Sequence, residues 1–108
     1  MNKIDMREWV ASLEVMLDNK LKKWHKFAKW ENGENVQLRW QYEQTHIQLD
    51  VFWENGVETV RLKYLSPRGD HDFMWHGLTD KTFNRIQDRV GNLAMTTLHP
   101  PIDPEDHE

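Results

Sequence analysis

The segment from Asp70 to His76 holds the densest group of residues that could do chemistry. It offers two histidines and two aspartates within seven residues, and both residue types bind divalent metals. In an extended segment, His71 and His76 are five residues apart and point to opposite faces. Asp72 and His76 share a face but lie about 13 Å apart at roughly 3.3 Å per residue, too far for one ion. The spacing favours a polar turn that leads into a strand, and we predict no bound metal or other cofactor.

Nucleophilic catalysis lacks the residues that it usually needs. The chain contains no cysteine and only two serines. Ser66 precedes Pro67 in a predicted turn near His71, but no strained strand-to-helix elbow and no glycine-rich oxyanion loop accompanies it. The five glycines are isolated from one another, so the sequence has no phosphate-binding loop. We therefore predict that the chain is not an enzyme, with a metal-dependent or hydrolytic enzyme around His71 and His76 as the third hypothesis.

A lysine-rich stretch, residues 20–30, holds five lysines and no acid. On a helical wheel, four basic side chains gather opposite the predicted buried stripe: Lys22, His25, Lys26 and Lys29. Such a cationic ridge could follow a phosphate backbone, which makes nucleic-acid binding the second hypothesis for function. A solvated helix end whose cations complement the helix dipole explains the same pattern without a ligand.

The net charge of the chain is concentrated at its C-terminal end. The formal net charge is -4, and residues 96–108 hold four acids and no lysine or arginine. The rest of the chain is neutral, which argues against strong generic affinity for nucleic acid. Three prolines in the same stretch discourage regular structure. We therefore predict one domain over residues 1–98, followed by a disordered acidic tail over residues 99–108.

The elements that would position these residues begin with an amphipathic helix. Asp5 can cap its first turn while Glu8 completes a capping box. Apolar residues then recur at spacings of three or four and form one stripe: Met6, Val10, Leu13, Leu17, Leu21, Trp24 and Ala28. Asn32 and Gly33 supply a stop signal. The pattern predicts a first helix from about residue 5 to about residue 32, with the lysine-rich stretch at its C-terminal end.

The next part of the chain alternates apolar and polar residues, which predicts an antiparallel β-meander. Three strands are predicted, over residues 36–43, 47–53 and 57–65, and residues 72–76 could add a short fourth strand. The second and third strands are joined by Asn55-Gly56, the strongest short hairpin signal.

Turn length fixes the predicted register of these strands. A two-residue turn between the second and third strands sets Val51 opposite Val60 on the apolar face. An even-length turn around Thr45-His46 sets Trp40 beside Val51. All three strands therefore share one apolar face.

A second amphipathic helix follows, with Thr79 as its cap and an end near Met95. Two apolar helical stripes and one apolar sheet face are most simply satisfied when both helices cover the same side of the sheet. Four of the six tryptophans fall on predicted buried faces: Trp9, Trp24, Trp40 and Trp53. The predicted fold is α+β, a two-layer sandwich in the order α-β-β-β-(β)-α, with both helices on one face of an antiparallel meander.

The uncovered sheet face supplies the first hypothesis for function. Phe52 lies on this face, beside Arg39 and Thr59 in the predicted register, and Arg61 follows on the next strand. Aromatic and arginine side chains are enriched at protein interfaces. We therefore predict a small, non-catalytic interaction domain that binds a protein partner through Arg39, Phe52 and Arg61, with a homodimer as one form of this partnership. Because no apolar run approaches about 18 residues, we expect a cytoplasmic protein without membrane contact.

Overall fold

Seven elements follow one another along the part of the chain that the computed structural model describes, residues 6–31 and 35–98. The elements are α1 (Met6–Lys20), β1 (His25–Glu31), β2 (Asn35–Tyr42), β3 (Thr45–Glu54), β4 (Val57–Ser66), β5 (Gly69–His76) and α2 (Asp80–Leu98). The predicted α+β class is confirmed, with five strands where the sequence predicts three or four. The predicted cap at Asp5, the stop signal at residues 32–33 and the tail at residues 99–108 lie outside the described residues.

The five strands form one antiparallel sheet in the order β1-β2-β3-β4-β5. A two-residue turn joins each consecutive pair of strands from β2 to β5. At the β3–β4 turn, Asn55 and Gly56 adopt positive φ values of 53° and 77°, as a tight two-residue hairpin turn favours. Val51 pairs with Val60, so the predicted register of this hairpin is confirmed.

The register between β2 and β3 differs from the prediction. Trp40 pairs with Ile47 rather than with Val51, because the turn lies at Glu43-Gln44 rather than at Thr45-His46. Glu43 takes a positive φ of 53° in this turn, although glutamate is not among the residues enriched in left-handed backbone. Every β2 side chain therefore faces a β3 residue four positions away from its expected partner.

The first helix is much shorter than predicted. α1 ends at Lys20, a turn follows, and the next residues form β1. A helix from residue 5 to residue 32 would be about 42 Å long, whereas the ten residues of β3 span about 33 Å. The last turns of such a helix would therefore have no sheet to cover. Folding back as a strand instead lets Lys26 reach the acidic side chains of α1, and it adds a strand to the sheet.

The core lies between the sheet and the two helices, which pack on the same face as predicted. Buried residues of α1 and α2, such as Leu13 and Ile86, cover apolar residues of the central strands, such as Leu49. The two helices also contact each other. The rings of Trp9 and Phe83 form an edge-to-face pair with centroids 5.7 Å apart.

The second helix begins where the sequence predicts. Thr79 Oγ1 accepts a hydrogen bond from the backbone N–H of Thr82 at 3.1 Å, which satisfies one of the donors that a helix leaves unpaired in its first turn. The helix continues three residues beyond the predicted end, to Leu98. Near this end, the hydroxyl groups of Tyr64 and Thr97 form a hydrogen bond of 2.8 Å that joins α2 to β4.

Three of the four tryptophans predicted to be buried are buried: Trp9, Trp24 and Trp40. Trp53 is 37% exposed, so that part of the prediction is wrong. Trp53 lies on the helix-covered side of β3, but it is next to the β3–β4 turn and opposite Glu58. Its exposure shows that the helical cover ends before the tip of this hairpin.

Candidate interaction surface

The face of the sheet that points away from both helices, here named the open face, is formed by alternate side chains of all five strands. Two rows of paired residues cross its centre. From β1 to β5, one row reads Lys29, Gln37, Asp50, Arg61 and Met74, and its neighbour reads Phe27, Arg39, Gln48, Lys63 and Asp72. The open face therefore combines charges of both signs, amides and apolar side chains.

Hydrogen bonds order the amide side chains at the centre of the open face. Asp50 on β3 accepts a hydrogen bond from Gln37 Nε2 at 3.1 Å and another from Gln48 Nε2 at 3.0 Å. One carboxylate thus restricts two amide side chains in the free protein. Less conformational entropy is then lost when such side chains are ordered in a complex.

A bidentate ion pair joins β4 to β5 on the same face. Arg61 Nη2 donates to Asp72 Oδ2 at 2.6 Å, and Arg61 Nε donates to Asp72 Oδ1 at 3.1 Å. This hydrogen bonding lowers the pKa of Asp72 and raises the pKa of Arg61. Because both groups are exposed to solvent, the pair adds little to stability. Its main effect is to fix the direction of the guanidinium.

Arg39 on β2 is held by a histidine of β3. Its Nε and Nη2 atoms donate to His46 Nδ1 at 3.2 Å and 3.1 Å. A guanidinium only donates hydrogen bonds, so His46 Nδ1 must be the unprotonated nitrogen of the ring. Burial and the positive charge of Arg39 both lower the pKa of His46. The neutral imidazole is the form that supports this contact.

Apolar side chains are distributed over the open face. Four of them are between 36% and 51% exposed: Phe27, Val57, Leu65 and Met74. Phe52 is half-buried and, with Lys29 and Arg61, lines a concavity of about 260 Å³. Phenylalanine and arginine are both enriched at protein interfaces, and arginine is also enriched at their energetic centres.

The structure brings together two of the three residues predicted to form the interface. Phe52 pairs with Thr59 as predicted, and Phe52 and Arg61 line the same concavity. Arg39 lies further along the face, opposite Gln48, so the prediction that Arg39 lies beside Phe52 is wrong. The four-residue difference in the β2–β3 register explains this separation.

The cationic ridge predicted for the first helix does not form. Lys22 lies in the turn after α1, and the other ridge residues lie on β1, where successive side chains point to opposite faces. His25 and Lys29 point to the open face, and Lys29 Nζ lies 2.9 Å from Glu31 Oε1. Lys26 points to the helix-covered face. The early end of α1 therefore removes the helical geometry on which the nucleic-acid hypothesis depends.

Sequence reasoning missed an ionic cluster on the helix-covered face. Lys26 Nζ lies 2.9 Å from Asp18 Oδ2 and also forms an ion pair with Glu14. Asp18 Oδ1 accepts a hydrogen bond from Nε1 of the buried Trp40 at 3.0 Å. Burial lowers the pKa of Lys26, but its bonds to the two acids raise that pKa by more, so it lies above the ordinary value. The two acids lie four residues apart on one helix, which is the signal from which a shared cationic partner could have been predicted.

Of the residues considered for catalysis, Ser66 and His71 line one concavity, but among the described residues no hydrogen bond joins their side chains. His71 and His76 point to opposite faces of β5, as their spacing predicts. His71 stacks near Phe73, with ring centroids 6.3 Å apart, and Ser66 Oγ donates to the carbonyl oxygen of Gly69 at 2.8 Å. In the described part of the chain, no three potential ligands of histidine, cysteine, aspartate or glutamate are grouped so that they could hold a metal ion.

α2, the longer helix with 19 residues, carries five charged side chains. Neither helix in residues 6–31 and 35–98 combines the length and the apolar composition that a membrane span requires. No protein-family model matches the chain, and neither the curated proteins nor the solved structures include a significant match.

Proposed function

We propose that this chain is a small, non-catalytic interaction domain that binds a protein partner through the open face of its sheet. One observation carries this proposal. Both helices pack on the opposite side, and the described chain leaves the open face in contact with solvent, including its four exposed apolar side chains. Transient protein interfaces have this mixed apolar and polar composition.

The surroundings of Phe52 support a defined contact point on this face. Interface energy is concentrated in a few aromatic and arginine residues that fill or line pockets. Phe52 and Arg61 line one concavity, and Asp72 fixes the guanidinium of Arg61. A partner side chain in this concavity would contact both groups. We therefore assign Phe52 and Arg61 the central role and Arg39 a peripheral one.

The charge pattern of the open face favours a partner whose surface is itself mixed. Lys29 is paired with Glu31, and Arg61 is paired with Asp72. Binding to a nucleic acid depends on cations that are available to replace its counterions. A protein surface with acids, bases and amides can instead complement paired charges group by group. The proposed partner is a protein with both signs of charge around an apolar centre.

The variant Phe52→Glu tests this proposal, with Met95→Glu as its matched control. The first substitution places a carboxylate in the concavity. The second places the same carboxylate on α2, where Met95 is 65% exposed. Proteins captured by the immobilised wild type are purified and titrated against all three forms. We expect a captured protein that binds the wild type and the control equally and binds Phe52→Glu at least about tenfold more weakly.

Three other outcomes would contradict parts of the proposal. If the captured protein binds Phe52→Glu as tightly as the wild type, the interface is not on the open face. Micromolar binding of RNA or DNA that is lost when Lys22, Lys26 and Lys29 are neutralised would support the nucleic-acid hypothesis instead. The homodimer form requires light scattering to show a wild-type dimer that Phe52→Glu alone dissociates, and a monomeric wild type would exclude that form.

A further inference from the structure

The first strand of the sheet is an edge that the rest of the described chain leaves uncovered. β1 pairs with β2 on one side, and six of its seven residues are exposed. Ala28 points to the helix-covered face and is nevertheless exposed, so α1 does not extend over this edge. An uncovered edge strand of this length is a template for pairing with another strand.

The turn lengths determine which backbone groups of β1 point outward. A two-residue hairpin turn is closed by a residue pair that exchanges two hydrogen bonds, and bonded and non-bonded pairs alternate along antiparallel strands. The turns before β3 and before β4 therefore fix the direction of the backbone N–H and C=O groups of β2. Those of its even-numbered residues point toward β3, and those of its odd-numbered residues point toward β1. The β4–β5 hairpin checks this alternation. There it requires a hydrogen bond from the backbone N–H of Gly77 to the carbonyl oxygen of Glu58, and this bond is present at 2.7 Å. In β1, three residues consequently direct their N–H and C=O groups away from the sheet: Lys26, Ala28 and Trp30.

We propose that β1 pairs with β1 of a second copy of this chain, antiparallel and centred on Ala28, to form one continuous sheet of both copies. Strand length favours this register, because a two-fold axis at Ala28, the middle residue of β1, pairs all seven residues of the strand. The three outward-pointing residues of each copy then form three bonded pairs, with two hydrogen bonds in each pair. This contact goes beyond the proposed function, since it uses the edge of the sheet rather than its open face.

The open-face side chains of β1 are complementary to themselves in this register. His25 lies opposite Glu31 of the second copy, which places an imidazole N–H donor beside a carboxylate. Phe27 lies opposite Lys29 of the second copy, which places an aromatic ring beside an ammonium group. Moving the axis by one residue to Lys29 would set two lysines directly opposite each other. Like charges in that position are destabilising.

The side chains on the other face of β1 also permit close pairing. At the axis, Ala28 meets Ala28 of the second copy, and both side chains are small. Trp30, which is 38% exposed, lies opposite Lys26 of the second copy. Lysines commonly protect edge strands from pairing, but both lysines of β1 form ion pairs with acids of their own chain. These ion pairs reduce the repulsion that the two lysines present to a second copy.

The other edge of the sheet is better protected against pairing. β5 carries Asp70 and Asp72 and no lysine or arginine. Asp72 is paired with Arg61 of its own chain, but among the described residues Asp70 forms no ion pair, so pairing two copies there would bring an uncompensated carboxylate of each copy to one edge. α2 also lies over part of this strand, since the guanidinium carbon of Arg89 lies 4.5 Å from the centroid of the Phe73 ring. The contrast between the two edges directs self-association to β1.

Hydrogen–deuterium exchange of the wild-type chain is the first test. Samples span about 10 μM to about 1 mM, a range that covers weak association. We expect exchange of the Lys26, Ala28 and Trp30 amides to slow at least about tenfold with concentration. The Phe27 and Lys29 amides serve as internal controls, because they bond to β2 in the monomer as well. Free exchange of the first three amides at the highest concentration would overturn the proposal.

Sedimentation equilibrium on matched variants is the second test. Because residue 28 faces itself across the axis, Ala28→Glu sets two carboxylates opposite each other and should weaken the dimer at least about tenfold. Met95→Glu should leave the dimer unchanged. A dimer that Phe52→Glu dissociates would instead be formed through the open face, which would contradict pairing at β1. A wild type that is monomeric at about 1 mM, or a dimer that Ala28→Glu does not weaken, contradicts the proposal.

A charge exchange provides a test that does not depend on the folding of Ala28→Glu. Glu31→Lys alone sets a lysine opposite His25 of the second copy and should weaken the dimer. The double variant His25→Glu, Glu31→Lys restores a pair of opposite charges and should recover the association. Circular dichroism confirms that each variant is folded. A double variant that associates no better than Glu31→Lys would count against the register centred on Ala28.

Discussion

The helix-covered face and the open face are made by alternate residues of the same five strands, yet their side chains behave differently. From β2 to β4, a covered row reads Leu38, Leu49 and Leu62, and all three are fully buried. The adjacent open row reads Arg39, Gln48 and Lys63, and hydrogen bonds hold the first two of these side chains in contact with water. Burial of apolar surface drives folding, whereas exposed polar contacts add little to stability.

This difference separates the residues that hold the fold from those available for binding. Substitutions on the helix-covered face should lower the stability of the domain, and they should weaken binding only where the domain unfolds. Substitutions on the open face should change recognition while the fold persists. The two faces are thus best compared through neighbouring residues of a single strand, because such residues share the same backbone and the same hydrogen-bonded ladder.

The largest expected contrast is between two adjacent residues of β3. Leu49→Ala removes a fully buried side chain and should lower the free energy of unfolding by about 2–5 kcal/mol. Gln48→Ala removes one side-chain hydrogen bond donor from Asp50 on the open face, and it should cost less than about 1 kcal/mol. Urea unfolding, followed by tryptophan fluorescence, measures both values. Similar losses for the two variants would contradict the proposed division between the faces.

An intermediate effect is expected at Asp18, where the covered side keeps a polar group. Asp18→Ala leaves the indole N–H of Trp40 without its acceptor, and an unpaired buried donor costs about 1–3 kcal/mol. Asp18→Asn retains an oxygen acceptor for the indole and loses the charge that faces Lys26, so a smaller loss is expected. Denaturant unfolding of both variants checks this order. An asparagine variant as unstable as the alanine variant would show that the ion pair, rather than the indole bond, matters most.

The smallest expected effect is a pH dependence on the open face. Burial and Arg39 hold the pKa of His46 below its ordinary value of 6.5. The folded chain then binds fewer protons than the unfolded chain, so this contribution to stability is complete above pH 6.5 and is lost as the pH falls through the folded pKa. Arg39→Gln should raise this pKa part of the way to 6.5. NMR titration of His46 checks the shift, and an unchanged pKa would exclude a contribution from Arg39.

The β3–β4 hairpin was predictable because its signal is local. Asn55 and Gly56 both tolerate the positive φ that the turn requires, and their position alone fixes which residues reach each face. The pairing of Phe52 with Thr59 on the open face follows from that turn. The β2–β3 turn carries no comparable signal, because Glu43 and Gln44 are not turn residues. There the pairing of the flanking strands imposes the turn, so the position of Arg39 could not be predicted.

The end of the first helix was missed because the apolar helical spacing continues past it. Leu21, Trp24 and Ala28 continue the helical stripe, whereas residues 25–31 do not show the alternation that would indicate a strand. Tertiary structure decides the outcome, since the sheet is too short to cover a helix that continues to residue 32. The ionic cluster of Lys26, Asp18 and Glu14 was missed for the same reason, because Lys26 meets the two acids only when the chain turns back after α1.

The connection of each strand to its sequence neighbour has a consequence for folding during synthesis. As the chain leaves the ribosome, each strand of the meander can pair with the strand made just before it. The ring of Trp9 on α1, however, contacts Phe83 on α2, which is made after the whole sheet. Part of the apolar stripe of α1 therefore stays exposed until α2 has been synthesised. During that interval a chaperone or another incomplete chain can bind it.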